Sequence, residues 1–331
     1  DGIKPTTLST TATLPPQAFL TSSLVASPRG MAMARVLAAA IAAVEPAQAV
    51  QRFLQRNGSQ LVVGARSYDL QHIEHIWLIA FGKASLPMAQ AAAAVLGDRL
   101  SGGVVIAKSS FLPSQPVVAE LPHSLPASLE IIVAGHPIPD AGSLKAAAAV
   151  TSLLTKAGAH DLVLGLISGG GSALLTSPAA DLTLDDLQKL TDALLGSGAS
   201  ITEINTLRKH LESLKGGGMA QMAAPAPLAC LILSDVIGDP LDMIASGPSV
   251  PDPTTYAQAY QILERYQLTT QAPPRILERL DLGQRGQIPE TPKPGDALFE
   301  RVSNQVIGSN FQAAQAALSQ AQAEGFHTLL L

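Results

Sequence analysis

The residues able to do chemistry gather in a few glycine-marked segments. The sharpest is Ile167-Ser168-Gly169-Gly170-Gly171-Ser172-Ala173-Leu174-Leu175. Three consecutive glycines cost conformational entropy, so the backbone must need them there. Without Cβ atoms it can approach an anion closely and turn several N–H groups toward it. A helix opening at Ser172 would add its positive dipole end. Ser168, Gly169, Gly170, Gly171 and Ser172 are therefore assigned to a phosphate or carboxylate, since an ordinary tight turn needs one glycine only. A second triplet, Gly216-Gly217-Gly218, follows Lys215. These four residues are assigned to phosphate as well. Neither common phosphate fingerprint occurs: there is no G-x-x-x-x-G-K-[ST], and no G-x-G-x-x-G after a strand. Nicotinamide dinucleotide binding of the usual kind is thus unsupported.

Around these loops stand charged residues with suitable chemistry. Lys83, in Phe81-Gly82-Lys83-Ala84-Ser85, sits where a strand pattern ends and suits the charge of a transferred phosphoryl group. An exposed loop lysine has the same look. Asp235 and Asp239, in Ser234-Asp235-Val236-Ile237-Gly238-Asp239-Pro240, offer hard oxygens to Mg²⁺. Turn aspartates bonding their own backbone fit equally. Ile204, Leu207, Leu211 and Leu214 make an apolar helical stripe, with Asn205, Arg208, Glu212 and Lys215 on the adjoining polar one. Asn205 and Arg208 could hold a small carboxylate in a cleft wall, Arg208 by a two-pronged contact. A solvated face with an Arg208–Glu212 pair satisfies the same spacing. Ser246 and Gly247 close the segment after Asp239 and join the substrate contacts. His136, in a Pro-rich loop, is read either as a substrate contact or as a brace; the other histidines are read as structural.

The elements that position these residues alternate strand and helix. Strands are expected at 76–81, 103–107, 130–134, 161–167, 228–233 and 306–308, with helices between them. Such repetition means a doubly wound parallel sheet with helices on both faces. Residues 31–54 read as one long amphipathic helix. Thr183 and Ser200 each precede an acid by three residues, the mark of a capped helix start. The expected organisation is a disordered tail at 1–27, a Rossmann-like α/β domain at 28–270, a linker at 271–298 and the start of a truncated second α/β domain at 299–331. His327 to Leu331 reads as a last strand with no crossover after it. A fragment, inactive on its own, is the resulting expectation.

Composition narrows the class. The chain has 331 residues, 47% hydrophobic and 14% charged, enough for two packed cores and too apolar for disorder. With 21 basic and 26 acidic residues the net charge is −5 and no basic cluster stands out, so nucleic acid is not an expected partner. No run of 18 apolar residues occurs, so no membrane span is expected. The single cysteine, Cys230, rules out a disulfide framework and reads as a packed core residue. A cytoplasmic protein is the default, with a homodimer allowed.

Taken together, Leu166–Leu175, Gly198 through Lys215-Gly216-Gly217-Gly218, Leu231 through Ser246-Gly247-Pro248, Gly82-Lys83-Ala84 and Ile307-Gly308-Ser309-Asn310 resemble the class II glycerate kinases. The resemblance runs from about Met31 to the end. It implies ATP, Mg²⁺, a cleft between two α/β domains, a catalytic role at Lys83 and a further C-terminal region with its own arginine. The implied reaction is transfer of the γ-phosphoryl group of ATP to the 2-hydroxyl of D-glycerate. Catalysis is assigned to Lys83 and Asp235. The alternatives are a hydroxypyruvate oxidoreductase and a non-catalytic carboxylate- or phosphate-binding fragment.

Overall fold

The structure is a computed structural model that describes residues 14–112, 115–117 and 125–330. Six strands form one sheet: β1 (Ile76–Phe81), β2 (Leu100–Lys108), β3 (Leu129–Ala134), β4 (Leu162–Ser168), β5 (Leu228–Leu233) and β6 (Val302–Gly308). Their spatial order is β6-β5-β4-β1-β2-β3, and every pairing is parallel. The chain winds outward from β1 to β3, crosses back to β4, and winds outward again to β6. The order therefore reverses between β1 and β4, and a crevice opens there at the carboxyl ends of the strands.

The longer helices are α1 (Gly30–Ala43), α2 (Pro46–Phe53), α3 (Ser85–Leu96), α4 (Ala141–Leu154), α5 (Leu184–Ser197), α6 (Ile201–Leu211), α7 (Gly218–Ala223), α8 (Tyr256–Arg265), α9 (Pro274–Gln284) and α10 (Asn310–Ala323). Strand side chains alternate between two cores. Leu78, Leu164 and Leu166 pack with α2 and α3 on one face; Ile79, Val163 and Ile167 pack with α4 and α7 on the other. All seven residues of β4 are buried, as a central parallel strand covered on both sides requires. Each fully buried aliphatic side chain stabilises the fold by about 1.5–3 kcal/mol. Cys230 belongs to the second core, and burial pushes its thiol pKa up to about 12, so it packs and does not react.

A third core is purely helical. Leu187, Leu190 and Leu194 of α5, Ile204, Leu207 and Leu211 of α6, and residues of α8 and α9 enclose it. Both helix starts read from the sequence are capped: the Thr183 and Ser200 hydroxyls accept the N–H groups of Asp186 and Glu203, whose carboxylates in turn accept the N–H groups of Thr183 and Ser200.

Several expectations are corrected. Residues 31–54 are not one helix: Pro46 starts α2 after a 44° bend, because proline suits the first helical turn, and Leu54 already opens a strand. That strand begins a three-stranded antiparallel meander (Leu54–Asn57, Gln60–Val63, Arg66–Asp69) which the polar sequence had hidden. Within the expected tail, residues 14–27 contain helical turns at Pro16–Phe19 and Ser22–Val25; residues 1–13 lie outside the described residues. The expected linker contains α9, whose Ile276 and Leu280 enter the helical core. Residues 299–331, expected to open a second domain, instead supply β6, the edge strand paired with β5, and α10, which packs along α1. Arg35 grips Glu324 with two 2.6 Å hydrogen bonds across that contact. Residues 326–330 form no strand, and Leu331 lies outside the described residues. Among the described residues no single helix is long and apolar enough to cross a membrane.

If β6 and α10 are integral to this fold, a chain ending at residue 298 bares the β5 edge and the inner face of α1. It is expected to lose cooperative thermal unfolding, measured by circular dichroism. Melting indistinguishable from that of the 331-residue chain would restore residues 299–331 as a separate unit.

Candidate functional site

At the reversal of strand order, the turns after β1 and β4 are laced together. Ser168 Oγ accepts the N–H of Ala84 at 3.0 Å, and the Lys83 N–H donates to Gly169 O at 2.9 Å. The contact is closest at Gly82, whose φ is +116°; a Cβ there would lie 2.2 Å from Ser168 Oγ. Only glycine allows the two turns to meet this way. Ser168 is thus a buried structural clamp rather than a phosphate contact.

Past Ser168, the glycine run forms the floor of the crevice. Gly170 has φ +84°, and a single helical turn, Gly171–Leu174, follows it. The leading N–H groups of such a turn have no intrahelical acceptor. Three side chains surround this backbone. A Cβ on Gly169 would strike the Asp235 carboxylate at 1.9 Å. A Cβ on Gly170 would lie 2.8 Å from His136 Nε2 and 3.2 Å from Lys83 Cε. Lys83 Nζ stands 3.7 Å from Asp235 Oδ2, with both side chains about half exposed. The site thus holds a glycine floor, an ammonium, a carboxylate and an imidazole, each from the end of a different strand. Burial first, then the charges of Lys83 and Lys108, hold the His136 pKa below its ordinary value; Asp235 pulls weakly the other way. Lys108, at the end of β2, went unmarked in the sequence; its place at a strand end was the signal available.

Beneath the floor runs a chain of buried hydroxyls. Ser246 Oγ donates to Asn205 Oδ1 at 2.9 Å and lies 2.9 Å from Ser172 Oγ. The Ser246 proton is used on Asn205, so Ser172 donates to Ser246 and its hydroxyl hydrogen points inward. Asn205 Nδ2 reaches Met243 O at 3.5 Å. Ser246 is fully buried and Asn205 is 2% exposed, so neither touches a substrate as expected; both position the loop. The backbone around Ser246 is strained: Ala245, Ser246 and Gly247 have successive φ values of +51°, +62° and +65°. Left-handed non-glycine residues cost about 1–3 kcal/mol each and gather at sites whose surroundings hold them there.

The second glycine triplet is what holds them. The N–H groups of Gly216 and Gly217 donate to Ser246 O and Gly247 O, and that of Gly218 to Lys215 O. These three donors are therefore used inside the fold and not on phosphate. Lys215 is likewise corrected. It is buried, and its ammonium bonds Ser172 O at 2.7 Å, Leu175 O at 3.3 Å and Glu212 Oε2 at 2.5 Å. All three of its N–H groups are taken, pinning the C-terminal side of the glycine loop from below. Helix α6 ends at Leu211, so Leu214 leaves the helical stripe and enters the sheet core.

Arg208 differs from these. Burial lowers its pKa, Glu212 opposing, yet Glu212 already pairs with Lys215. Among the described residues no acceptor meets its guanidinium, a desolvated cation suited to an incoming carboxylate. Asp239 has φ +53° and lies in a groove with Ile237, Asn310 and Phe311; no described contact joins it to Asp235 or the glycine floor. Three acidic or histidine side chains, Glu74, His75 and Asp161, do cluster, but at the opposite end of the sheet. Asp161 there accepts from the His75 backbone and ring, Trp77 and Gly158, which makes it a latch.

The fold and site define a doubly wound α/β protein with a glycine floor at its topological switch point. Residues 32–281 match the family described as a domain of unknown function, DUF4147, and the chain belongs to that family. It is 39% identical over 299 residues to a glycerate kinase of Danio rerio, covering 89% of this chain and 59% of that protein. It is 37% identical to a glycerate 2-kinase of Pyrococcus horikoshii, covering 90% and 63%. The crystal structure of a glycerate kinase from Thermotoga maritima superposes with a TM-score of 0.72 at 35% identity, covering 91% of this chain and 64% of that one. The resemblance read from the motifs is borne out. The chain spans about three fifths of the length of the curated relatives it matches.

Gly170→Val tests the floor. The new side chain meets His136 and Lys83, and its backbone must keep a left-handed φ. Phosphate-induced thermal stabilisation is expected to vanish while the far-ultraviolet spectrum is kept. Undiminished phosphate stabilisation in the variant would remove the loop from the anion site.

Proposed function

We propose that the protein carrying this chain transfers the γ-phosphoryl group of ATP to the 2-hydroxyl of D-glycerate. The observation that carries this reading is the meeting of Lys83 with the Gly169–Gly171 floor at the order reversal of the sheet. Phosphoryl transfer asks for positioning and charge neutralisation rather than a covalent intermediate. The backbone N–H groups of Gly169 to Ser172 receive phosphate oxygens, since the Ser172 hydroxyl is turned inward. Lys83 neutralises charge as the metaphosphate-like group passes from donor to acceptor. Arg208 takes the glycerate carboxylate, for which its unmet donors and desolvated setting are suited. The names of the relatives support the same substrate pair.

Mg²⁺ fits the donor set. Asp235 is a half-exposed carboxylate beside the phosphate floor, and Mg²⁺ is held by one or two carboxylates together with substrate phosphates rather than by a protein cage. Asp235 would hold the ion, which would supply charge neutralisation across the phosphates. Asp239 has less support, because its contacts lie in the neighbouring groove. The oxidoreductase reading has no dinucleotide fingerprint to rest on.

Incubation of the full-length protein with D-glycerate, ATP and Mg²⁺ is expected to yield 2-phosphoglycerate and ADP, resolved from 3-phosphoglycerate by coupled assay. Oxidation of NADH by hydroxypyruvate, with no ADP formed, would replace this reading with the reductase.

Lys83→Ala is expected to lower kcat about 10²-fold or more. The melting temperature is expected to stay nearly constant, because an exposed ion pair such as Lys83–Asp235 contributes about 0–1 kcal/mol. An unchanged kcat would make Lys83 a surface residue only.

A further inference from the structure

We propose that His136 is the proton acceptor of the phosphoryl transfer, its Nε2 taking the proton of the attacking hydroxyl over the Gly170 floor. The inference rests on the kinase reading above and assigns to a named atom the proton which that reading leaves unplaced.

Position comes first. His136 follows β3 on a loop tied at both ends. Asp140 Oδ1 accepts the Gly135 N–H at 2.9 Å and the Ser143 N–H at 3.1 Å, which joins the loop to the first turn of α4. The ring projects from this tether to Gly170. There its Nε2 and Lys83 Cε lie 2.8 and 3.2 Å from the single point that a Cβ would occupy. The imidazole and the ammonium therefore flank the same glycine, and a phosphoryl group resting on that glycine meets both.

Charge comes second. The groups that face the ring are Lys83, Lys108 and Asp235. Partial burial, and after it the two lysines, disfavour the imidazolium, so the neutral ring offers a lone pair at ordinary pH. Asp235 is the other group able to take a proton, but its charge is already directed at Lys83 and would be directed at Mg²⁺. A polyanion arriving on the floor offsets the two lysines and strengthens His136 as a base when substrate is bound.

The step balances. The glycerate 2-oxygen forms a bond to the γ-phosphorus, and the bond from phosphorus to the β,γ-bridging oxygen breaks, its electron pair leaving with ADP. The hydroxyl proton moves to Nε2. Once the products leave, the imidazolium stands beside two ammonium groups, which favours release of the proton to solvent and restores the neutral ring.

The test uses the full-length protein with D-glycerate, ATP and Mg²⁺. His136→Gln is expected to lower kcat by about 10²–10³ and to change KM for ATP less than threefold. Because the neutral ring is the active form, the wild-type rate rises with pH through the His136 titration; the variant is expected to lack this acidic limb. A second variant, Lys108→Met, alters an exposed side chain and removes one repelling cation. It is expected to raise the His136 pKa and move the acidic limb to higher pH, whatever becomes of the folding of His136→Gln. Wild-type turnover with kcat within threefold in His136→Gln, or an acidic limb that Lys108→Met leaves in place, overturns the role of His136 alone. Absence of glycerate phosphorylation by the wild-type protein overturns the kinase reading, and this role with it.

Discussion

Gly82 lies so close to Ser168 that no side chain fits between them, and the Ser168 hydroxyl takes the Ala84 N–H on the far side of the contact. The rest of the site depends on this junction. β1 and β4 are neighbours in space but are separated in sequence by two other strands of the same sheet and their crossovers, and their turns must diverge at the reversal of sheet order. The clamp lets them diverge by a fixed amount. Lys83 leaves one turn and Gly169 the other, and the second bond between them, from the Lys83 N–H to Gly169 O, sets the ammonium against the glycine floor. Buried aliphatic residues on both faces keep the strand ends from shifting.

Under the floor the polar groups are layered by burial. Ser172, Ser246 and Asn205 form a hydroxyl–amide chain, while Lys215 and Glu212 form a buried ion pair whose remaining donors bind the carbonyls of Ser172 and Leu175. A buried pair of this kind is weak evidence for stability, because desolvating both ions offsets their attraction. Its effect here is geometric. With every donor matched, the floor has one orientation, and the strained residues Ala245 and Ser246 are held by the second glycine triplet rather than relaxing.

Above the floor the charges face a different medium. Lys83 and Asp235 are half exposed and screened, and so remain free to exchange partners with a ligand. Arg208 sits between the two regimes, desolvated but unmatched.

Much of this was legible in the chain. The alternating strand and helix patterns, the buried β4 run, the caps at Thr183 and Ser200 and the glycine run after β4 all follow from local periodicity and backbone freedom, which depend on near neighbours alone. The motif resemblance led to the right family. What the chain could not disclose were facts about which distant segments share space. Residues 302–308 carry the same pattern whether they open a new sheet or close an old one; only the pairing with β5 decides. Lys215 and Arg208 look alike on a polar stripe, yet α6 ends between them. One ammonium is turned into the interior beside Glu212, and one guanidinium is left unmet. Ser246 and Asn205 look like ligand contacts until burial shows them bonding each other. By itself, then, the sequence determined which elements form and which backbone can lie against an anion. The tertiary structure decided which polar groups face the ligand and which are used up beneath it. A side chain's partners depend on through-space distances of a few ångströms, and these are set by crossovers whose ends lie tens of residues apart.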